Sequence, residues 1–461
     1  MSTGTLSTVR ELDAIGTTAD ELYREHVNPQ WARLLDLLEV NVRYSRCEGA
    51  RLHAADGRTF VDFLSGYCVH NLGHNHPYVV SALEAELRRD GPAMVQSHVP
   101  ELAGELAARL CTLAGGQVSK VFFCSSGSEG VEAAIKFARA RTRRSGLLYA
   151  DGAFHGLTTG ALSLMGDPFW RKGFGPLLPD CESVPFGDID ALEQKLASKR
   201  FAAFVLEPIQ GEAGIRVPAH DYLSDAQHLC RDFGTLFVLD EVQTGLGRTG
   251  EFLAGHHYGV QPDIIVLAKA LSGGLIPVGA VLMSDAVYES VYDSLKRSIV
   301  HTSTYSENAL AMRAGLAVLD VLESERLSER AERIGEYLRE RLRDALAGYE
   351  MVKEVRGAGL FCGIEFTAPK QLKLRAAFEA FRAVHAGLFG QMVVMNLFKR
   401  GMLTQMCGNN FMVLKVAPPL IIGEEEADEF VNAVTDVIEL VHGSTSFWSD
   451  ALGMARRAIN I

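Results

Sequence analysis

An α/β fold is what this 461-residue sequence predicts: a mostly parallel sheet flanked by helices, with a smaller α+β lobe toward the C-terminus. Three observations carry the prediction. From about residue 120 onward, short apolar runs alternate with stretches of helical periodicity, the signature of strand-helix-strand units. Three of those runs end in an ionisable residue: Phe204-Val205-Leu206 in Glu207, Phe237-Val238-Leu239 in Asp240, and Ile264-Ile265-Val266-Leu267-Ala268 in Lys269. Unbroken β-branched and aliphatic runs bounded by turn formers read as strands buried on both faces, as in a parallel sheet. Finally, charge density climbs from Ser328 to Leu346 around one apolar stripe (Ala331, Ile334, Leu338, Leu342, Ala345), which predicts a solvated helix opening a second lobe.

Bulk properties narrow the class. Hydrophobic content of 48% with 22% charged residues is that of a globular protein in which disorder does not dominate. The net charge of -12 argues against a general affinity for nucleic acid or anionic membrane. Eight scattered cysteines without a CxxC pair suggest reduced thiols in a cytoplasmic protein, with neither a disulfide framework nor a metal site. The opening MSTGTLSTVRELDAIG lacks the pattern of a signal peptide. No uncharged run approaches the ~20 apolar residues needed to span a bilayer.

Taken in order, the first fifty or so residues read as a helical arm with Leu22, Trp31, Leu34, Leu35 and Leu38, broken at Asn28-Pro29. Asp56-Gly57 marks a tight hairpin within 51–63. His74 and His76 in a Gly-His-Pro loop invite a metal hypothesis, but no carboxylate or thiolate stands at ligand spacing. Val121 to Cys124 is a strand, followed by Ser125-Ser126-Gly127-Ser128 and a helix with Val131, Ala134, Ile135 and Ala138 on one face. Strand, small-residue turn and helix N-terminus can cradle an anion, because free backbone N–H groups and the helix dipole face the turn. The same residues can equally be a plain Ser cap with Glu129 and Glu132 in the first turn.

In an open parallel sheet, ligands bind beyond the carboxyl ends of the strands, so Asp240 and Lys269 arrive at one edge. Desolvation there would lower the lysine pKa and free its lone pair for attack on a carbonyl. Two blander readings are a lysine that snorkels to water and a structural Asp240–Lys269 ion pair. Gly245 to Gly250 matches GxGxxG, but no sustained helical stripe follows it, so a dinucleotide site does not. Further on come a hydroxyl-rich loop at 301–306, an apolar helix at 309–322, a strand-like run at 356–366, a Met- and Phe-rich stretch at 384–410 read as core or as a substrate wall, and a final acid-rich helix from Glu424. The tail from Phe447 to Ile461 has an amphipathic flavour and no assigned role.

The motifs SGSEGVEAAIK (126–136), FHG (154–156), EPIQGEAG (207–214), LDEVQTGLGRTG (239–250) and LAKALSGG (267–274), in that order, resemble the class III pyridoxal-phosphate-dependent aminotransferases of fold type I over roughly residues 50–440. Within that family, GAFHG, LCRDFG, QPDI and HTSTY are most similar to the putrescine aminotransferases. The resemblance implies a large domain with a seven-stranded, mostly parallel sheet at 59–329, a helical arm and part of a small domain at 1–58, and the rest of the small domain at 330–461. It implies pyridoxal 5'-phosphate bound to Lys269 as a Schiff base, with Asp240 keeping the pyridine nitrogen protonated so that the ring accepts electrons. Ser126, Gly127 and Ser128 would hold the phosphate, Phe154 would stack on one ring face with His155 beside it, Val242 would lie beneath the other, Gln243 would meet the ring hydroxyl, and Glu207 would complete the cofactor set. Thr304 resembles the threonine that reaches the phosphate of a neighbouring subunit, which implies a homodimer with its active site at the interface.

The resemblance weakens at the substrate. Where relatives that use α-amino acids carry an arginine before a Pro-Pro-Leu-like run, this chain has Lys415, which supplies charge without a planar fork. Glu212 matches the acid that pairs with that residue when the substrate is uncharged, and Tyr67 is a further candidate substrate residue. The expected activity is therefore transfer of an amino group between an amine donor, such as a diamine or terminal amine, and an aldehyde or keto acid. Alternatives are a mutase, racemase or decarboxylase on the same fold, an aminotransferase restricted to amino acids such as ornithine or 4-aminobutyrate, and a non-catalytic binding module.

Overall fold

The apolar runs become the strands that the alternation predicts, and the register between them decides what reaches the site. The structure is a computed structural model and describes residues 19–95, 97–443 and 447–448. The opening segment read for a signal peptide and all of the tail beyond Trp448 lie outside the described residues; Phe447 and Trp448 are buried. In chain order the strands are β1 (Tyr44–Glu48), β2 (Arg51–Ala54), β3 (Thr59–Asp62), β4 (Val118–Cys124), β5 (Gly146–Ala150), β6 (Cys181–Val184), β7 (Phe201–Leu206), β8 (Leu236–Asp240), β9 (Ile264–Leu267) and β10 (Gly279–Ser284). They are followed by β11 (Val352–Ala358), β12 (Phe361–Phe366), β13 (Met402–Leu403), β14 (Gln405–Cys407) and β15 (Asn410–Val416).

Strands β4 to β10 form one seven-stranded sheet in the order β4-β10-β9-β8-β7-β5-β6. Only β10 runs against its neighbours, pairing antiparallel with both β4 and β9. The other six therefore point the same way, and their carboxyl ends share one edge. Registers Leu206↔Leu239 and Leu239↔Ile265 bring β7, β8 and β9 to that edge in step. All six residues of β7 and all four of β9 are buried, as strands covered on both faces require. Alternate residues serve opposite faces: Ala203 and Val205 pack with the helix Gly127–Thr142, Phe204 and Leu206 with the helix Tyr222–Phe233.

Two smaller sheets stand beside it. One is β1-β2-β3-β13, in which the late strand β13 joins β3 in parallel, so both ends of the chain build the same layer. The other is the antiparallel β11-β12-β15-β14. Here the structure corrects one expectation: residues 356–366 are not a single strand but the hairpin β11–β12, turning at Gly359. Gly359 takes φ +51, and a Cβ there would lie 2.4 Å from the Thr249 carbonyl carbon, so the position needs glycine.

The predicted break in the N-terminal arm is the start of a helix. Asn28 accepts a hydrogen bond from Trp31 N (3.0 Å) and Pro29 opens Pro29–Leu37. The helices Leu327–Leu346 and Glu424–Gly443 cover the smaller lobe, and Tyr337 donates to Asp428 across them (3.0 Å). Of the Met-rich stretch, the helix Leu388–Lys399 lies in the core, with Phe398 stacked on Phe60 at 4.4 Å. Between the lobes runs Arg248, from the GxGxxG-like turn. It is wholly buried and donates to the carbonyls of Leu360 (2.9 Å) and Pro418 (2.5 Å) and to Asn71 Oδ1 (2.6 Å). Among the described residues, no helix is long and apolar enough to cross a membrane.

Candidate active site

At the shared carboxyl edge opens a cavity of about 470 Å³. Ser126, Gly127, Ser128, Phe154, His155, Glu207, Asp240, Val242, Gln243 and Lys269 all line it. Ten residues named from sequence thus meet in one place, although they span more than a hundred positions.

Lys269 follows β9 through an extended Ala268 and begins the short 3-10 turn Lys269–Ser272. Its own φ is +46, a left-handed conformation that a side-chain-bearing residue adopts at a cost of order 1 kcal/mol. Gly273 and Gly274 continue the turn at φ +64 and +84, and a Cβ on Gly274 would lie 2.5 Å from the His70 ring. Burial lowers the Lys269 pKa against the opposing effects of Cys68, Asp240 and Glu212, which favours the neutral amine.

Asp240 closes β8. Its Oδ2 pairs with His155 Nδ1 at 2.8 Å, and its Oδ1 accepts from Val242 N at 3.1 Å. Burial opposes charge on His155, but Asp240 and the more distant Glu207 outweigh it and raise the imidazole pKa. Glu207, at the end of β7, accepts from Phe154 N (2.9 Å) and Gly211 N (3.1 Å), so it holds the loops on both sides of the cavity. Burial pushes its pKa up to about 7, with His155 pulling the other way.

The cradle forms at the N-terminus of the helix Gly127–Thr142. Ser126 caps it by accepting from Glu129 N (3.2 Å), while Ser125 N donates to Glu129 Oε2 (2.7 Å). The plain-cap reading is therefore true of the Ser126 side chain, and the first-turn amides of Gly127 and Ser128 remain free of helical acceptors. Gly156 is required here, and Gly127 is close-packed. A Cβ on Gly127 would lie 3.0 Å from either Val242 methyl, and one on Gly156 (φ +119) 2.2 Å from Ser128 Oγ.

A profile of "Aminotransferase class-III" matches residues 37–438 of the sequence. The chain belongs to the class III aminotransferase family. It is 37% identical over 449 residues to aminotransferase PigE of a Serratia species, covering 90% of this chain and about half of that protein's length (53%). It is 36% identical over 448 residues to a putrescine aminotransferase of Pectobacterium atrosepticum, covering 94% of this chain and 91% of the relative. Among solved structures, an ornithine aminotransferase from Toxoplasma gondii superposes with a TM-score of 0.82 at 30% identity, covering 95% and 99% of the two chains. An amine transaminase from an uncultivated Pseudomonas species, with pyridoxal phosphate bound, gives 0.78 at 29% identity over 86% and 94%.

As a class III aminotransferase the protein uses pyridoxal 5'-phosphate, and the cavity fits that group. Cradle, acid and lysine stand at one opening, and Gln243 keeps a buried Oε1 without a partner, an acceptor left over for a hydroxyl.

The remaining named residues lie elsewhere. Tyr67, Glu212 and Lys415 do not line the cavity but group behind Gln243. Lys415, at the end of β15, is wholly buried and forms an ion pair with Glu212 Oε1. Its Nζ also sits 5.3 Å from the Tyr67 ring centroid. The same Oε1 accepts from Gln243 Nε2 (3.1 Å), and Oε2 accepts from Gly408 N (2.8 Å). Burial resists charge on both partners, but each holds the other ionised: Glu212 falls to about 2 and Lys415 rises above the ordinary lysine value. Thr304 lies in a separate cleft of about 440 Å³ with Met94, Val95 and His98. His74 and His76 are engaged apart from each other, with Asp62 (2.8 Å) and Glu325 (3.3 Å), and no group of three potential ligands occurs among the described residues.

Sequence reasoning missed three features in and around the site. The Leu275 to Val278 rim lines the cavity and was announced only by Gly273-Gly274. Trp170 packs edge-on against Phe154 (5.5 Å, 90°). The turn at Gly408 and Asn409 meets Glu212 from nearly two hundred residues away, and nothing local signals it.

Proposed function

We propose that the protein moves an amino group from a primary amine without an α-carboxylate, a diamine or terminal amine, to an aldehyde. The observation that carries this reading is the state of Lys415: buried, ion-paired with Glu212 and covered by Tyr67, it offers a substrate carboxylate neither a free charge nor a bidentate fork. The similarity to a putrescine aminotransferase supports the same direction.

When bound, pyridoxal phosphate supplies an electron sink for the pair released as the substrate C–H bond breaks. The chain supplies the rest. Lys269 would bind the cofactor and then, as the neutral amine its burial favours, take the proton from the substrate carbon and return it to the cofactor carbon on the far side of the transferred nitrogen. Asp240, fixed by His155 and Val242 N, places a carboxylate at the ring nitrogen. The amides of Gly127 and Ser128 hold the phosphate, Phe154 and Val242 enclose the ring, and Gln243 orients it through the free Oε1. Glu207 holds the Phe154 and Gly211 loops in place around them.

Thr304 and the apolar residues that share its cleft, the exposed Met94, Val95 and Ile299 (77% exposed), support a homodimer in which each chain completes its neighbour's phosphate site. The unpaired cysteines support a cytoplasmic setting. The test is to present the cofactor-loaded protein with putrescine, ornithine, alanine and glutamate separately and follow the cofactor's colour, then to offer pyruvate, 2-oxoglutarate and a fatty aldehyde as acceptors. Putrescine is expected to discharge the colour fastest. Strict use of α-amino acids on both sides would refute the reading.

A further inference from the structure

Glu212 has more partners than an ion pair requires. Its carboxylate accepts from Lys415 and Gln243 on one oxygen and from Gly408 N on the other (2.8 Å), while its carbonyl accepts from Asn409 N (2.9 Å). The turn that makes the last two contacts is itself tied down. Asn409 Nδ2 donates to the Gly152 carbonyl (3.0 Å), and Asn409 Oδ1 accepts from Trp170 Nε1 (2.8 Å). Trp170 in turn packs edge-on against Phe154 in the cavity wall. A Cβ on Gly408 would stand 3.0 Å from Glu212 Oε2, so a side chain there would press on the carboxylate, and 3.6 Å from Trp170, which places the indole beside the same turn.

A carboxylate that must swing aside to admit an anionic substrate needs an alternative set of donors and room to move. Any swing of Glu212 breaks its bonds to Lys415, Gln243 and Gly408 N together, and the backbone on which it sits is bonded to the turn. We propose that Asn409 and Trp170 are positioning residues that clamp Glu212 onto Lys415, so that the lysine stays closed to a substrate carboxylate and the site is committed to amines. This rests on the aminotransferase reading above and adds two specificity-determining residues to it. The clamp joins three segments: the Phe154–Trp170 wall, the Glu212 turn and the β14–β15 turn. Loosening it at Asn409 or Trp170 touches neither the lysine nor the carboxylate directly.

The test uses Asn409→Ala, which removes both side-chain bonds, and Trp170→Phe, which keeps an aromatic edge but removes the N–H donor. For parent and variants, kcat/KM is measured with putrescine and with glutamate, and binding of glutarate to the cofactor-free protein is measured by calorimetry. The clamp predicts that the glutamate-to-putrescine ratio rises about tenfold or more in both variants, mainly through KM for glutamate. It also predicts that glutarate binding appears in the variants and is lost again when Lys415→Met is added. Equal falls in both kcat/KM values with unchanged glutarate binding would overturn it, since that is what a purely structural role produces. If Asn409→Ala does not fold, Trp170→Phe decides alone. A parent that handles no amine would refute the functional reading, while the glutarate measurement would still judge the clamp.

Discussion

Replacing Glu212 with Gln is the sharpest perturbation the site offers. Lys415 is wholly buried, and Glu212 is the anion beside it. Removing one partner of a buried pair leaves an uncompensated charge and costs about 3–5 kcal/mol. The new amide group must also face either Gly408 N–H or the Lys415 and Gln243 donors, which leaves a donor unsatisfied at about 1 kcal/mol or more. The expected loss at pH 7 is therefore about 4–6 kcal/mol, read from urea denaturation of the cofactor-free protein. The pH dependence gives the signature. In the parent the Lys415 pKa is raised, so its contribution is complete below the ordinary lysine value of about 10.4 and is lost only as pH rises through the folded value. In the variant only burial acts, which depresses the lysine, so the penalty is present at neutral pH and fades as pH climbs toward about 10.4. The gap between the two proteins should narrow by several kcal/mol between pH 7 and 10. On the acid side the Glu212 contribution, with its pKa held at about 2, should be lost as pH falls below the ordinary carboxyl range. Adding Lys415→Met to the variant should restore most of the stability. A gap below about 1 kcal/mol that does not change with pH would refute the picture of a charged buried pair.

Other expectations follow from the same geometry. Lys269→Ala should abolish turnover, by at least about 10²–10⁴-fold from the lost proton transfer, while the cofactor still binds and can be washed out under non-reducing, non-denaturing conditions; retained catalysis would refute its role. Gly156→Ala should weaken cofactor binding about tenfold or more, because the new methyl would occupy the space of Ser128 Oγ at a φ of +119, and equilibrium titration with pyridoxal phosphate checks this. Arg248→Met should cost about 3–5 kcal/mol in urea midpoint measurements, since three buried acceptors lose their donor at once.

The pieces that line the cavity around Lys269 were legible from sequence because each depends on local pattern. A buried strand that ends in lysine, a second that ends in aspartate, and a small-residue turn before a helix can each be read within about ten residues. The ordered motifs then tied those pieces to one family. The substrate side was legible only in part: Lys415 and Glu212 could be named as a pair, but not that they sit behind Gln243 rather than in the cavity wall. The hairpin at 356–366 was misread as one strand because its Gly359 turn is enforced by Thr249, a residue more than a hundred positions away.

Sequence by itself determined the family and the α/β alternation, since the first follows from short ordered motifs and the second from the periodicity of side chains along single elements. Tertiary structure alone decided that β7, β8 and β9 end in register, that His155 meets Asp240, and that Gly408, Asn409 and Trp170 converge on Glu212. Those meetings depend on the order of strands in the sheet and on where loops cross its edge. Neither leaves a periodic trace in the chain, because each contact is made by a single residue whose neighbours in sequence point elsewhere.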